Sequence, residues 1–378
     1  MLSQRELPER KAAAVAEQQM VAPVSVHPDK PPTGVFEGLQ ALRFVAALLV
    51  LLTHATFYTS SRLAPDFPTW RAGTVGVDIF FVISGFVMMV TSTPFRRAAG
   101  GWRYFAMRRI VRIVPMYWIA TTLKIGMLFV LPGVALRESL DPQHVVFSYL
   151  FLPSVNEVGV VEPVLGVGWT LTFEMFFYAV FALALLLRLN PLLFVGSVMV
   201  ALTICGLAAP ETGSPWSVYL DPVVLYFVIG MVIAALVKRD RQRWILYLSA
   251  AGLLAAVVLM TIGAGDWYRS SPFRFSVVVA LVALVVWAEP WCRRVVPKWL
   301  LFLGDASYTI YLFHPLLAPM VPLALSIIGI SVPWVSVVGA IAWALLATSV
   351  IYALVERRLV RLGRKLPYAG RVPQGVRG

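Results

Sequence analysis

The chain has 378 residues, 59% of them hydrophobic and 13% charged, with a formal net charge of +13. A soluble globular domain needs more polar surface than this composition supplies, so that class is excluded. Nucleic-acid binding is also excluded, because the Lys and Arg flank apolar runs and are not interleaved with aromatic residues outside them.

Residues 1–36 are polar, rich in Ala, Glu and Gln, and then in Pro. They are predicted to form a disordered cytoplasmic tail. They are not a signal peptide, since no apolar core follows a short basic start. Residues 37–356 carry ten apolar runs, near 38–58, 74–93, 112–131, 168–188, 191–208, 218–237, 243–263, 274–288, 305–328 and 334–354. Runs of about 20 apolar residues cross a bilayer as helices, and only helices satisfy their own backbone there. The expected fold is therefore an all-α polytopic membrane bundle of about ten transmembrane helices, followed by a basic cytoplasmic tail over 357–378. Arg and Lys crowd the connections at 96–112, 238–243 and 289–298, and also the C-terminal tail, while the alternate connections are poor in both. The positive-inside rule then places both termini in the cytoplasm. Cys205 and Cys292 fall near opposite faces, which excludes a disulfide between them. The four histidines form no metal-ligand motif, so no metal is expected.

The first span carries Arg43 and His54. Eleven residues make about three helical turns, so the two side chains share a face about 16 Å apart along the axis. Ionisable groups inside a span are costly and mark function by default. The bland readings are a snorkelling cation and a packing hydrogen bond. The second span opens with Asp78, at the depth assigned to His54. Asp78 either fixes the tautomer of that histidine or caps the helix. Ser84 and Gly85 are read as permitting close helix packing. The third span opens with Arg108, Arg109 and Arg112, a cluster suited to phosphates or to ordinary basic flanking. The 132–167 connection holds Arg137, Glu138, Asp141, His144, Glu157 and Glu162, with a semi-apolar stretch too short to span.

Trp169 stands at the outer boundary of the fourth span, with Glu174 inside it and Tyr178 one turn later. An embedded carboxylate needs a partner; Arg43, His54 and Tyr178 are the candidates. In the ninth span Asp305 and Ser307 suit a helix start. Tyr308, Tyr311 and His314 follow on one face, lining either a polar cavity or an interfacial aromatic belt. Glu356 is read as an exposed interfacial charge, with pairing to Arg43 as the second reading.

Five segments now stand in order: Arg43 with His54, GVDIFFVISGF, RRIVRIVPMYW, GWTLTFEMFFY and GDASYTIYLFH. Together they make the chain resemble the acyltransferase-3 family of bacterial membrane proteins, most of all its exopolysaccharide O-acetyltransferases of the succinoglycan type. The resemblance covers about residues 36–356. It implies ten core helices in the bacterial inner membrane, with acyl-CoA, acetyl-CoA first of all, as cytoplasmic donor. It also implies a glycan hydroxyl as acceptor, either lipid-linked or polymeric, and work alongside polysaccharide biosynthesis machinery. Essential roles carry onto Arg43, His54, Arg109 and Arg112, and less directly onto Asp78, Trp169, Glu174 and Tyr308. The appended esterase-like domain of some members is not expected here.

Acyl transfer needs a base for the hydroxyl proton and a donor for the developing oxyanion. The expected catalytic group is therefore His54 and Arg43 with Asp78 and Glu174. Arg108, Arg109 and Arg112 are expected to bind the donor phosphates, and Trp169, Tyr178, Tyr308 and His314 the substrates. Whether His54 acts as base or nucleophile is open. The rival reading is a secondary transporter or flippase of a polysaccharide precursor, and a third is a non-catalytic scaffold.

Overall fold

The computed structural model describes residues 36–96, 100–130, 140–208, 214–269 and 271–364. Residues 1–35 of the tail predicted over 1–36, the end of the chain from 365, and Arg137 and Glu138 lie outside them. Fifteen helices follow in order: α1 Glu37–Arg62, α2 Val75–Thr91, α3 Gly101–Val130, α4 Pro142–Tyr149 and α5 Trp169–Leu186. Then come α6 Pro191–Ala208, α7 Leu225–Lys238, α8 Gln242–Thr261, α9 Pro272–Trp287 and α10 Glu289–Val295. The last are α11 Lys298–Asp305, α12 Ser307–Leu317, α13 Met320–Ile327, α14 Pro333–Ile351 and α15 Arg357–Arg364. Among the described residues, eight helical segments are long and apolar enough to cross a membrane. The pair α9 and α10, bent by 70°, makes a ninth, and the shorter apolar segment Pro222–Lys238 fills the remaining predicted place. The chain is an all-α, multi-pass membrane bundle.

The central helix is α1, which packs against α2 and against each of α9 to α14. Its buried face is built from small residues, including Ala46, Ala47 and Ala55, each fully buried. Apolar burial does not drive helices together within lipid, so close backbone approach has to. The glycines show where. A Cβ on Gly76 would sit 2.2 Å from the Ala46 carbonyl oxygen of α1. Gly85 and Gly230 do the same for α2 against α7, at 2.0 Å from the Phe227 oxygen and 1.9 Å from the Val82 oxygen. Gly85 thus packs as expected.

The start of α1 is finished from far along the chain. Phe36 offers no side-chain cap, and the Glu289 carboxylate accepts the Glu37 and Gly38 backbone N–H groups at 2.8 and 3.0 Å. Glu289 is held in turn by Arg293 Nε at 2.9 Å. On the same face, Lys238 donates to the Met89 carbonyl and to Thr93 Oγ1. This is the basic face of the bundle. The predicted C-terminal tail begins there as helix: Arg357–Arg364 continues from α14 through a π turn, Tyr352–Glu356, and packs on α3.

At the opposite face, residues 140–168 of the connection between α3 and α5 are folded. Helix α4 starts at Pro142 with Asp141 as its cap. It is tied to α3 by Tyr117 Oη donating to the Ser148 carbonyl at 3.1 Å and Trp118 Nε1 donating to the Tyr149 carbonyl at 3.0 Å. The semi-apolar stretch of the sequence is therefore a short helix and turn laid on α3.

Candidate functional site

Two cavities lie along α1, one towards the basic face and one towards the far face. The basic-side cavity has a volume of about 120 Å³, and its polar lining is Arg43, Arg109, Arg112, Ser84, Thr170, Glu174 and three tyrosines. The far-side cavity, of about 1040 Å³, contains His54. Val77 and Tyr311 line both and form the wall between them. Arg43 and His54 thus occupy one helix and two chambers, as their axial spacing requires.

In the basic-side cavity, Glu174 receives hydrogen bonds from Ser84 Oγ at 2.9 Å and from the Tyr178 hydroxyl. Of the partners considered for Glu174, Tyr178 is the one it bonds, and Ser84 is an addition. Ser84, read from the sequence as a packing residue, is therefore a polar member of the cavity. Arg109 lies against the Phe105 and Tyr178 rings at 5.8 and 6.0 Å, and such cation–π contact holds a guanidinium in place. Arg112, one turn on, joins it. Arg108 points out of the cavity, exposed and 5.6 Å from the Tyr104 ring; it directly precedes Arg109, and successive residues are turned about 100° apart around a helix. Tyr308 lines the cavity and donates to the Ile113 carbonyl at 2.9 Å.

Arg43 stands in the electrostatic field of Arg112, Glu356, Asp305 and Glu174. Glu356 is not the exposed charge expected from the sequence. It is 3% exposed and receives a hydrogen bond from Thr309 Oγ1. The reason is the π turn over Tyr352–Glu356, whose extra residue per turn rotates Glu356 inward. Asp305 does not open a helix either. It ends α11 and takes a hydrogen bond from Gln40 of α1.

In the far-side cavity, His54 Nδ1 lies 3.0 Å from the Val50 carbonyl oxygen. A carbonyl only accepts, so Nδ1 carries the proton and Nε2 holds the lone pair. No hydrogen bond joins Asp78 to His54. Asp78 is fully buried and pairs with Arg274 of α9 at 2.5 Å, and Arg274 also donates to Thr74 Oγ1 at 2.9 Å. Asp78 is likewise not a helix cap, since it lies in the first turn of α2 after Thr74. The reading of Asp78 as the group that orients His54 is corrected: a buried guanidinium already claims its charge. Arg274 was missed, although an Arg in the first turn of an apolar run is the same signal that singled out Asp78.

His314 is fully buried and lines neither cavity. This corrects its reading as a substrate-binding residue. Its ring stands behind His54, with centroids 4.8 Å apart and planes at 61°. Trp169 does line the far-side cavity, with the Arg269 guanidinium 4.9 Å over its ring. Arg269 pairs with Asp221 at 3.0 Å and Trp267 donates to the Ala72 carbonyl at 3.1 Å, which fastens the α8–α9 connection over this chamber. His144 of α4 lines it too. Its Nδ1 lies 2.8 Å from Ser154 Oγ, and burial pushes its pKa below the usual value against the pull of Asp141 and Glu157. It therefore presents a neutral ring at neutral pH.

The Asp78–Arg274 pair carries an expected outcome. Removing one partner of a buried pair strands the other charge and costs about 3–5 kcal/mol. Asp78→Asn is expected to lower the unfolding temperature in detergent, with Asp78→Asn/Arg274→Gln less damaging than either single change. Thermal unfolding of the purified variants checks it; an unshifted Asp78→Asn contradicts a structural role for the pair.

A family model described as an acyltransferase domain matches residues 36–353. The exopolysaccharide production protein ExoZ of Rhizobium meliloti is 34% identical over 313 residues, covering 81% of this chain and 94% of that protein. The acyltransferase MdmB of Streptomyces mycarofaciens is 26% identical, over 88% of this chain and 94% of that protein. The O-acetyltransferase OatA of Staphylococcus aureus is 26% identical over 73% of this chain, which corresponds to 49% of that longer protein. No solved structure matches the chain.

Proposed function

This chain belongs to the acyltransferase family matched above and is a membrane O-acyltransferase, and from that premise we propose that it moves an acyl group, acetyl first of all, from cytoplasmic acyl-CoA to a hydroxyl of a cell-surface or exopolysaccharide glycan. The observation that carries this reading is the pair of chambers in series, Arg43 in one and His54 in the other, parted by Val77 and Tyr311.

The basic face is the cytoplasmic one by the positive-inside rule, so the donor enters beside Arg43, Arg109 and Arg112. Acyl-CoA supplies an activated thioester. The chemistry of the donor set suits it, because guanidinium groups bind phosphate and carbonyl oxygens with directed hydrogen bonds. The size suits the slender arm of the donor: a cavity of about 150 Å³ takes a benzene, so one of about 120 Å³ takes a stretch of the arm that carries the thioester and leaves the nucleotide outside. Arg108, exposed at the rim, stays available to that outer portion.

The far-side chamber suits a saccharide. Trp169, Trp267 and Tyr268 offer flat apolar faces, and Arg71, Asn156 and Glu162 offer polar groups around them. His54 Nε2, with its lone pair free, takes the proton of the attacking hydroxyl. The new C–O bond forms as the C–S bond breaks, and the proton passes from His54 to the departing sulfur. Arg43 lies about three turns from His54, so it holds the donor along its length and does not touch the carbon attacked. That carbon has to reach the His54 side of Val77 and Tyr311.

The test is release of CoA thiol by the protein in proteoliposomes, with acetyl-CoA and a glycan acceptor. Thiol release that depends on the acceptor, with acetyl appearing on the glycan, is expected. Glycan movement across the bilayer without thiol release would instead support the flippase reading.

A further inference from the structure

We propose that His314 is a positioning residue for His54, holding its ring edge to face and stabilising the imidazolium that forms when His54 takes the acceptor proton. The inference rests on the reading of His54 as the base.

The two histidines are built alike. His314 Nδ1 lies 3.2 Å from the Ile310 carbonyl oxygen, as His54 Nδ1 lies 3.0 Å from that of Val50. Each carbonyl sits one helical turn back and can only accept, so each ring is locked with its proton on Nδ1 and its lone pair on Nε2. His54 spends that lone pair in the far-side cavity. His314 Nε2 is buried and has no hydrogen-bond partner among the described residues. An orphaned buried acceptor is costly and calls for an explanation. The ring against it is that of His54, 4.8 Å away.

Among the described residues, the surroundings supply little other counterweight to a charged His54. From α1, Tyr58 faces the ring at 6.0 Å. From α12, Tyr311 lies 6.0 Å from His314. Asp78 of α2 is engaged by Arg274, Asp305 of α11 by Gln40, and Glu174 of α5 by Ser84 and Tyr178. Helix α14 brings no titratable side chain. Across the chamber stand Arg62, Arg71, Lys124, Arg269 and Arg274, with Glu162 and the neutral His144. Cations outnumber carboxylates there, and their field opposes a second positive charge on His54. The electron-rich Nε2 and ring face of His314 are the favourable contact within reach.

The experiment follows kcat against pH for the wild type, His314→Phe and His314→Gln in proteoliposomes, by acceptor-dependent CoA-thiol release. His314→Phe keeps the packing and loses the lone pair. It is expected to lower kcat roughly ten-fold or more, to leave the donor KM unchanged, and to move the acidic limb of the profile to lower pH. The direction follows because His54, no longer stabilised when charged, becomes a weaker base. His314→Gln restores an acceptor oxygen and is expected to recover part of the rate. A wild-type profile for His314→Phe overturns the proposal. If His314→Phe fails to fold, His314→Leu, which also lacks the lone pair, decides: an acidic limb moved to lower pH supports the pairing and an unaltered one overturns it. His54→Ala separates the two levels. If it is fully active, the base reading itself fails; if it is inactive while His314→Phe behaves as wild type, the pairing alone fails.

Discussion

Replacing His54 with alanine is expected to reduce acceptor-dependent acyl transfer by about 10²–10⁴-fold, the range a positioned general base contributes, while the protein still folds. The fold survives because His54 is only half-buried and its one hydrogen bond is to a carbonyl of its own helix, so little of the bundle depends on it. The loss is chemical: among the described residues, the other imidazole lining the far-side chamber is His144, and its Nδ1 is engaged with Ser154. The size of that chamber, about 1040 Å³, adds a sharper expectation. Free imidazole has room to enter the space left in His54→Ala and is expected to restore part of the rate, in proportion to its concentration. Thiol release with and without imidazole is the measurement. Activity near wild type in His54→Ala would end the proposal.

The second large effect falls on the other chamber. Arg43→Ala is expected to raise the donor KM or lower kcat/KM for the donor by roughly 10–150-fold, the equivalent of a charge-assisted hydrogen bond of about 1.5–3 kcal/mol. The acceptor KM is expected to stay put, because the wall of Val77 and Tyr311 separates Arg43 from the acceptor chamber. Arg43→Lys is expected to recover little, since a point charge does not reproduce the directed fork of a guanidinium. Titrating donor and acceptor separately tests this. A variant in which both KM values move together contradicts the two-chamber reading, and full tolerance of Arg43→Ala supports a non-catalytic scaffold.

Much of this architecture was legible in the sequence. The positions of the spans follow from apolar runs alone, and the stacking of Arg43 below His54 follows from helical periodicity. So does the Glu174–Tyr178 bond, one turn apart. What was not legible are the contacts that join distant spans. Arg274 meets Asp78 across 196 positions, and no local pattern reports that. His314 sits behind His54 because of how α12 packs on α1, which periodicity cannot place. Glu356 misled for a different reason: a charge after a long apolar run reads as interfacial, and a π turn reverses its direction. Ser84 reads as a packing residue because small residues in spans usually are; its neighbour Gly85 is the one that fits.

The Glu289 carboxylate that closes the start of α1 has a consequence for biogenesis. The helix bearing Arg43 and His54 leaves the ribosome ahead of the other described helices, yet the group that satisfies its leading amides lies 252 residues later. At roughly 5–20 residues per second, α1 waits some 12–50 seconds in the bilayer with that end unfinished. Its final seat is set only when the segment after α9 arrives. Arrested chains that stop short of residue 289 therefore hold an inserted but unanchored first helix, and the two chambers close around it late in synthesis.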